Sequence, residues 1–167
     1  GRKIVLPLNR MPSDRNPNAK NGESFDSQTL EGKSVQELLD DGTLPPVPGL
    51  FDERPSPNAM LLSHAHCDHT GLIKYTNKEI PVYLSPGTSD MMYVALKFAR
   101  QVGVGRARQH RFKAGESFQI GDFTVTAYAV DHSAFDSVAF IIEAEGKRVL
   151  YSGDLRLHGR KPGMARD

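Results

Sequence analysis

The sequence has no tryptophan and a single cysteine, Cys67. One cysteine excludes an intrachain disulfide, and with it a small cross-linked scaffold. It fits a reducing compartment, so the cytoplasm is the expected location. No apolar run approaches the roughly 20 residues that span a bilayer, and no membrane partner is expected. The opening GRKIVLPLNR also lacks the apolar stretch of a secretory leader. Neither charge is in excess: 21 Lys and Arg stand against 20 Asp and Glu, a formal net charge of +1. Bulk charge therefore selects neither a polyanionic nor a polycationic partner. What is present is ordinary for one globular domain with a core: 167 residues, 38% hydrophobic and 25% charged.

The pattern along the chain alternates between strand and helix, then changes to strand alone. KIVLPL, residues 3–8, reads as a short strand, and 9–33 as a long polar loop rich in Asn, Ser, Asp, Gly and Pro. SVQELLDDG has capping-box spacing at Ser34 and Glu37, with Gly42 to end the turn. A proline-rich connector follows. AMLLSH and IPVYLS read as buried strands. SPGTSDMMYVALKFARQVG is the longest helix expected, with Gly103 as its stop. Met91, Val94, Ala95, Phe98 and Val102 form its apolar stripe, expected to face the core. Beyond residue 110 the period becomes two. Gly121-Asp122 and Glu145-Gly146 are the turns of two hairpins. The expected architecture is α/β, of the α+β kind: a mixed sheet with helices packed on it.

The densest chemistry lies in LLSHAHCDHTG, residues 61–71, which holds three of the six histidines. His64 and His66 follow a strand, and in extended chain residues i and i+2 project to one side. Both imidazoles can reach one ion while Ala65 and Cys67 point away. Cys67 is therefore expected as a small buried packing residue. A turn toward a helix at DHTG would swing Asp68 and His69 to a neighbouring position, giving a dinuclear arrangement. Imidazole and carboxylate suit zinc, with manganese or iron as alternatives. Two later strand ends supply His132, in AVDHS, and Asp154, in LYSGD. All six candidates follow β runs, so all can sit on one rim of a sheet.

HAHCDH matches the HxHxDH signature of the metallo-β-lactamase superfamily. DHS and SGD, downstream in that order, resemble its second-histidine and bridging-aspartate motifs. Over roughly residues 58–161 the sequence resembles that superfamily. The resemblance implies an αββα sandwich with two divalent metal ions at one edge. His64, His66 and His132 would bind one ion, Asp68 and His69 the other, and Asp154 would bridge them. IPVYLSPGTSDMM and YSGDLRLHGRK further resemble the RNA-processing branch of ribonuclease J-like and β-CASP nucleases. The implied reaction is phosphodiester hydrolysis of RNA by a metal-bridged hydroxide, with Asp68 also orienting the nucleophile. The sequence departs from the family pattern in three places. The early strand runs from Leu6 into Pro7, without the usual Asp after it. The last metal-ligating histidine and the β-CASP cap would both fall beyond Asp167. Residues 1–167 are thus expected to form part of such a domain, an incomplete sandwich.

Arg156, Arg160 and Lys161, with Arg166, form a basic stretch after Asp154 that suits phosphate contacts, and His158 is a candidate to touch substrate. A second basic group, Arg100, Arg106, Arg108, Arg111 and Lys113, reads as a solvated face, and His110 as a surface residue. Two other functions compete: a hydrolase of the same fold acting on a small ester, thioester or lactam, and a non-catalytic metal-binding fragment.

Overall fold

Local sequence signals place the elements, and burial decides how they stack. The computed structural model describes residues 4–6, 32–55 and 57–157. Helix α1 spans Val35–Asp40 and opens on the expected capping box: the Ser34 side chain accepts from the Glu37 N–H, and the Glu37 carboxylate accepts from the Ser34 N–H. Four short strands, β1 (Ile4–Val5), β2 (Ala59–Leu61), β3 (Val82–Leu84) and β4 (Gln109–Arg111), pair in parallel in that order. Most of the 9–33 loop lies outside the described residues, as do Pro7 and Leu8. Strand β4 carries no sequence signal, because QHR is short and polar and is a strand only through its pairing with β3.

The second sheet is antiparallel throughout, in the order β5 (Ser117–Ile120), β6 (Phe123–Ala129), β7 (Val138–Ala144), β8 (Lys147–Tyr151). Both expected hairpins form. At the second turn, Glu145 and Gly146 have φ of +51° and +71°. Positive φ at both central residues is the requirement of a type I′ turn, whose twist matches that of the strands. The mixed character expected from the sequence therefore lies between two sheets, one parallel and one antiparallel.

Strand β2 explains how the layers meet. Its period of two splits AMLL between two cores. Met60 and Leu62 face the helices, with Leu38 of α1, Val82, Leu84 and Met92. Ala59 and Leu61 face the other sheet, with Phe112, Val125, Ala127, Val138 and Phe140. Both faces are covered, so the strand reads as an unbroken apolar run. Each fully buried Leu or Phe contributes on the order of 2 kcal/mol of transfer free energy. The layers run helix, parallel sheet, antiparallel sheet. The outer face of β5–β8 leaves Tyr128 and Leu150 exposed, and no helix covers it among the described residues. The described residues form an α+β sandwich of two sheets. No helix among the described residues is long and apolar enough to cross a membrane.

Helix α3, Pro86–Ala99, corrects one expectation. Its stripe of Met91, Val94 and Phe98 faces outward, with 44%, 48% and 86% exposure. The buried residues are Gly87, Thr88, Ser89 and Met92. Small polar side chains seat the helix: Ser85 caps it by accepting from the Thr88 N–H, and Ser89 donates to Gln109 of β4. Periodicity identifies residues that share a face, not which face meets the core. Helix α3 also stops earlier than expected. Arg100 takes the left-handed conformation at φ +53° and closes it, three residues before Gly103.

Candidate metal centre

The chain leaves β2 still extended, so His64 and His66 project to one side while Ala65 packs against the helix-side core. At Cys67 the backbone turns into a single helical turn, α2 (Cys67–Thr70), with His66 as its N-cap. The turn carries Asp68 and His69 around beside the two imidazoles. It also overturns the expectation for Cys67. Strand alternation ends at His66, so Cys67 is the first helical residue and is exposed.

The antiparallel sheet delivers the other two groups. His132 follows β6 and Asp154 follows β8. His132 Nε2 lies 3.1 Å from His66 Nδ1. Asp154 Oδ2 lies 3.9 Å from His64 Nε2 and 3.7 Å from His132 Nε2, while its Oδ1 lies 3.4 Å from His69 Nε2. His69 Nε2 is also 3.4 Å from Asp68 Oδ2. One potential ligand atom from each of His64, His66, His132 and Asp154 falls within a mutual 4.8 Å, and so does a second set from Asp68, His69 and Asp154. Asp154 belongs to both. The six candidates thus converge from two sheets, at one end of the sandwich, rather than from one rim.

The donor set fits a divalent metal. His64 Nε2, both nitrogens of His69 and His132 Nδ1 are buried without a hydrogen-bond partner among the described residues. Buried polar atoms left unpaired are costly, and a cation offers them a partner. Burial, helped by the neighbouring His69, His132 and His66, pushes the His64 imidazole down to about 4. It is therefore neutral near pH 7, the form that ligates metal. Burial, and then His66, also lowers His132.

Two residues that sequence reasoning missed hold the site together. Ser63 Oγ lies 3.1 Å from His64 Nδ1, fixing the ring and leaving Nε2 to face Asp154. The Ser63 carbonyl accepts from the Val138 N–H at 3.0 Å, which ties the two sheets together beside the ligands. Gly153, at φ +54°, lets the loop before Asp154 press on that serine. A Cβ there would lie 2.9 Å from Ser63 Cβ and 3.0 Å from its Oγ. The glycine of SGD was visible in the sequence, but its contact with Ser63, 90 positions away, was not.

The basic residues divide. Arg156 is exposed and anchored, its N–H donating to the Asp131 carbonyl at 2.7 Å. His158, Arg160, Lys161 and Arg166 lie outside the described residues. In the other group, Arg108 is structural, donating to the Ile80 carbonyl and to Thr76 Oγ1. Arg111 donates to Ser89 Oγ. His110 is exposed and its ring stacks on Tyr83.

Comparison with known proteins matches this arrangement to one family. A family model described as "Beta-lactamase superfamily domain" matches residues 32–164. Ribonuclease J of Sinorhizobium meliloti is 29% identical over 119 residues, covering 70% of this chain and 21% of that protein. Ribonuclease J of Mycobacterium tuberculosis is 28% identical over 138 residues, covering 74% and 23%. The 5′ exonuclease Apollo of Rattus norvegicus is 33% identical over 101 residues, covering 57% and 17%. The chain thus spans about a fifth of the length of the ribonuclease J relatives it matches. A crystal structure of a protein of unknown function from Enterococcus faecalis shares the fold, with a TM-score of 0.68 and 22% identity over 90% of this chain and 38% of that one.

Proposed function

We propose, from the premise that this chain belongs to the metallo-β-lactamase superfamily of metal-dependent hydrolases, that it is catalytic machinery of a ribonuclease hydrolysing RNA phosphodiesters. The observation that carries this reading is the pair of ligand groups sharing Asp154, beside an exposed Arg156. A two-cation site suits a phosphodiester, because it can face both the attacking and the leaving oxygen. The ribonuclease names of the relatives favour RNA over a small ester, thioester or lactam.

In this reading His64, His66 and His132 would hold one ion and Asp68 and His69 the second, with Asp154 common to both ligand groups. Four imidazoles and two carboxylates suit zinc, with manganese or iron next. Bound ions would supply an acidified water and neutralise charge on the phosphate oxygens. The chain's own residues set the geometry for that chemistry. Ser63 orients His64 through Nδ1. Asp68, whose side chain is 46% exposed, would accept a proton from the attacking water as well as bind metal. Arg156, exposed and two residues past Asp154, would pair with a backbone phosphate.

The test is turnover of 5′-labelled RNA against a chromogenic ester, with zinc or manganese added. RNA cleavage abolished by His66→Ala is the expected result. Ester turnover that needs His66, with RNA untouched, would favour the small-molecule hydrolase. Metal binding below about half an equivalent after zinc incubation would sink both enzymatic readings.

A further inference from the structure

The loop from β6 to β7, residues 130–137, holds more than His132. Its fourth residue after the metal-ligand candidate is Asp136, at φ +59°, a strained conformation for a side-chain-bearing residue. The strain is held in place from both sides. The Asp136 carboxylate accepts from the Gly87 N–H at 2.9 Å, and its carbonyl accepts from Ser85 Oγ at 2.9 Å. Ser137 Oγ donates to the Ala134 carbonyl, and the Val130 N–H to the Ser137 carbonyl. A loop tied at so many points presents a fixed surface.

What it presents is Phe135, which is 69% exposed. One side of the ring rests on the start of α3. A Cβ at Gly87 would lie 2.6 and 2.7 Å from Phe135 Cδ1 and Cε1, and would run into Asp136 Cβ. The rest of the ring is open. Ser133 Oγ lies 3.5 Å from His66 Nε2, so the loop borders the metal centre there. Two residues on, the Phe135 Cα is at most about 7.6 Å from that of Ser133. The Arg156 N–H is bonded to the Asp131 carbonyl of the same loop, next to His132. One loop thus carries a fixed, exposed aromatic ring and anchors a basic residue. That pairing recognises a nucleotide: single-stranded nucleic acids are held by stacking bases on aromatic rings while basic groups follow the phosphates. The core gains little from an outward phenyl ring.

We infer that Phe135 is the stacking platform for a nucleobase of the RNA strand next to the scissile phosphate, resting on the ribonuclease reading above. The base lies on the free face of the ring, and the seat on Gly87 keeps the ring from turning away.

The absence of tryptophan from the chain makes this directly readable. Phe135→Trp installs a single indole, and a stacked base quenches its fluorescence. The probe is a 5′-labelled single-stranded 2′-O-methyl phosphorothioate hexanucleotide, which resists hydrolysis, with an abasic oligomer of the same backbone as control. The expected result is saturable quenching by the hexanucleotide and none by the abasic strand. By anisotropy, Phe135→Ala is expected to weaken hexanucleotide binding about tenfold, and Phe135→Leu by as much, with abasic binding unchanged. Leucine keeps the apolar seat but has no ring face. A Leu variant that binds like the wild type, or Trp fluorescence indifferent to the base, overturns the stacking role alone. Failure of the wild-type chain to bind either strand overturns the ribonuclease reading, and this inference with it.

Discussion

The two sheets build the same site by opposite means. In the parallel half, strands of two or three residues are built around β2, which is buried on both faces, and four ligand candidates fall within six consecutive residues. In the antiparallel half, strands of four to seven residues are registered by local hairpins, and each supporting segment ends in one ligand candidate, His132 or Asp154. The difference separates two tasks. A strand that turns at once into a helix can crowd donors together, but it cannot close a shell around a cation. Closure needs groups arriving from a second direction, and the hairpins supply them because their strands are long and stiff enough to hold a loop in place.

The largest effect should come from the group that joins the halves. Asp154→Asn is expected to lower turnover on the order of a thousandfold and to reduce bound zinc below two equivalents. Elemental analysis beside steady-state kinetics checks both. Two equivalents retained at full activity would show that the site closes without Asp154.

Packing between the sheets should matter next. Phe140, fully buried in the inter-sheet core, is expected to cost about 3–5 kcal/mol as alanine. Leu62→Ala, in the helix-side core, should cost about 2–5 kcal/mol. Urea unfolding of each measures the cost. A single transition in both variants would show the halves to be one cooperative unit, and separate transitions would show them to be two.

Smaller effects separate local from tertiary order. Gly146→Val forces a β-branched residue to φ +71° and should destabilise by about 1–2 kcal/mol. Ser34→Ala removes the cap of α1 and should cost about 1 kcal/mol. Thermal melts rank the two. A costlier cap than turn would mean that the parallel half, too, depends on local signals.

The smallest effect is an acid response confined to the parallel half. The hydrogen bond from Lys33, reinforced by Thr43, holds the Asp41 carboxyl at about 2, and Arg54 does the same for Asp52, against an ordinary value of 3.8. Because the folded values are the lower ones, this stabilisation is full above pH 3.8 and is lost as pH falls toward 2. Asp41 is exposed and Asp52 partly so, so the gain is modest and screened by salt. Melting of an Asp41→Asn, Asp52→Asn double variant against the wild type should show a small deficit at pH 6 that vanishes near pH 2. A deficit that persists there would assign it to lost packing.

Much of this was legible in order along the chain. The capping box, both hairpin turns and the fully buried β2 follow from local rules, because propensity, turn geometry and period act over a few residues. HxHxDH with its two followers also indicated which six side chains to bring together. The misreadings share a cause. The spacing in α3 defines one apolar face, but packing turns that face outward. Strand alternation would turn Cys67 inward, but the chain is already helical there. In each case sequence period fixed a relation among neighbours, while orientation depended on what packs from elsewhere.

By itself, then, the sequence determined the candidate ligand set, the types of the longer elements and the family, since each rests on residue identity at short spacing. Only the tertiary structure decided that two different sheets close the site and that Gly153 must be small to press on Ser63. It alone decided that Asp136 holds Phe135 open over Gly87. Those are contacts between segments dozens of residues apart, and their direction is set by the stacking of layers, which no local spacing encodes.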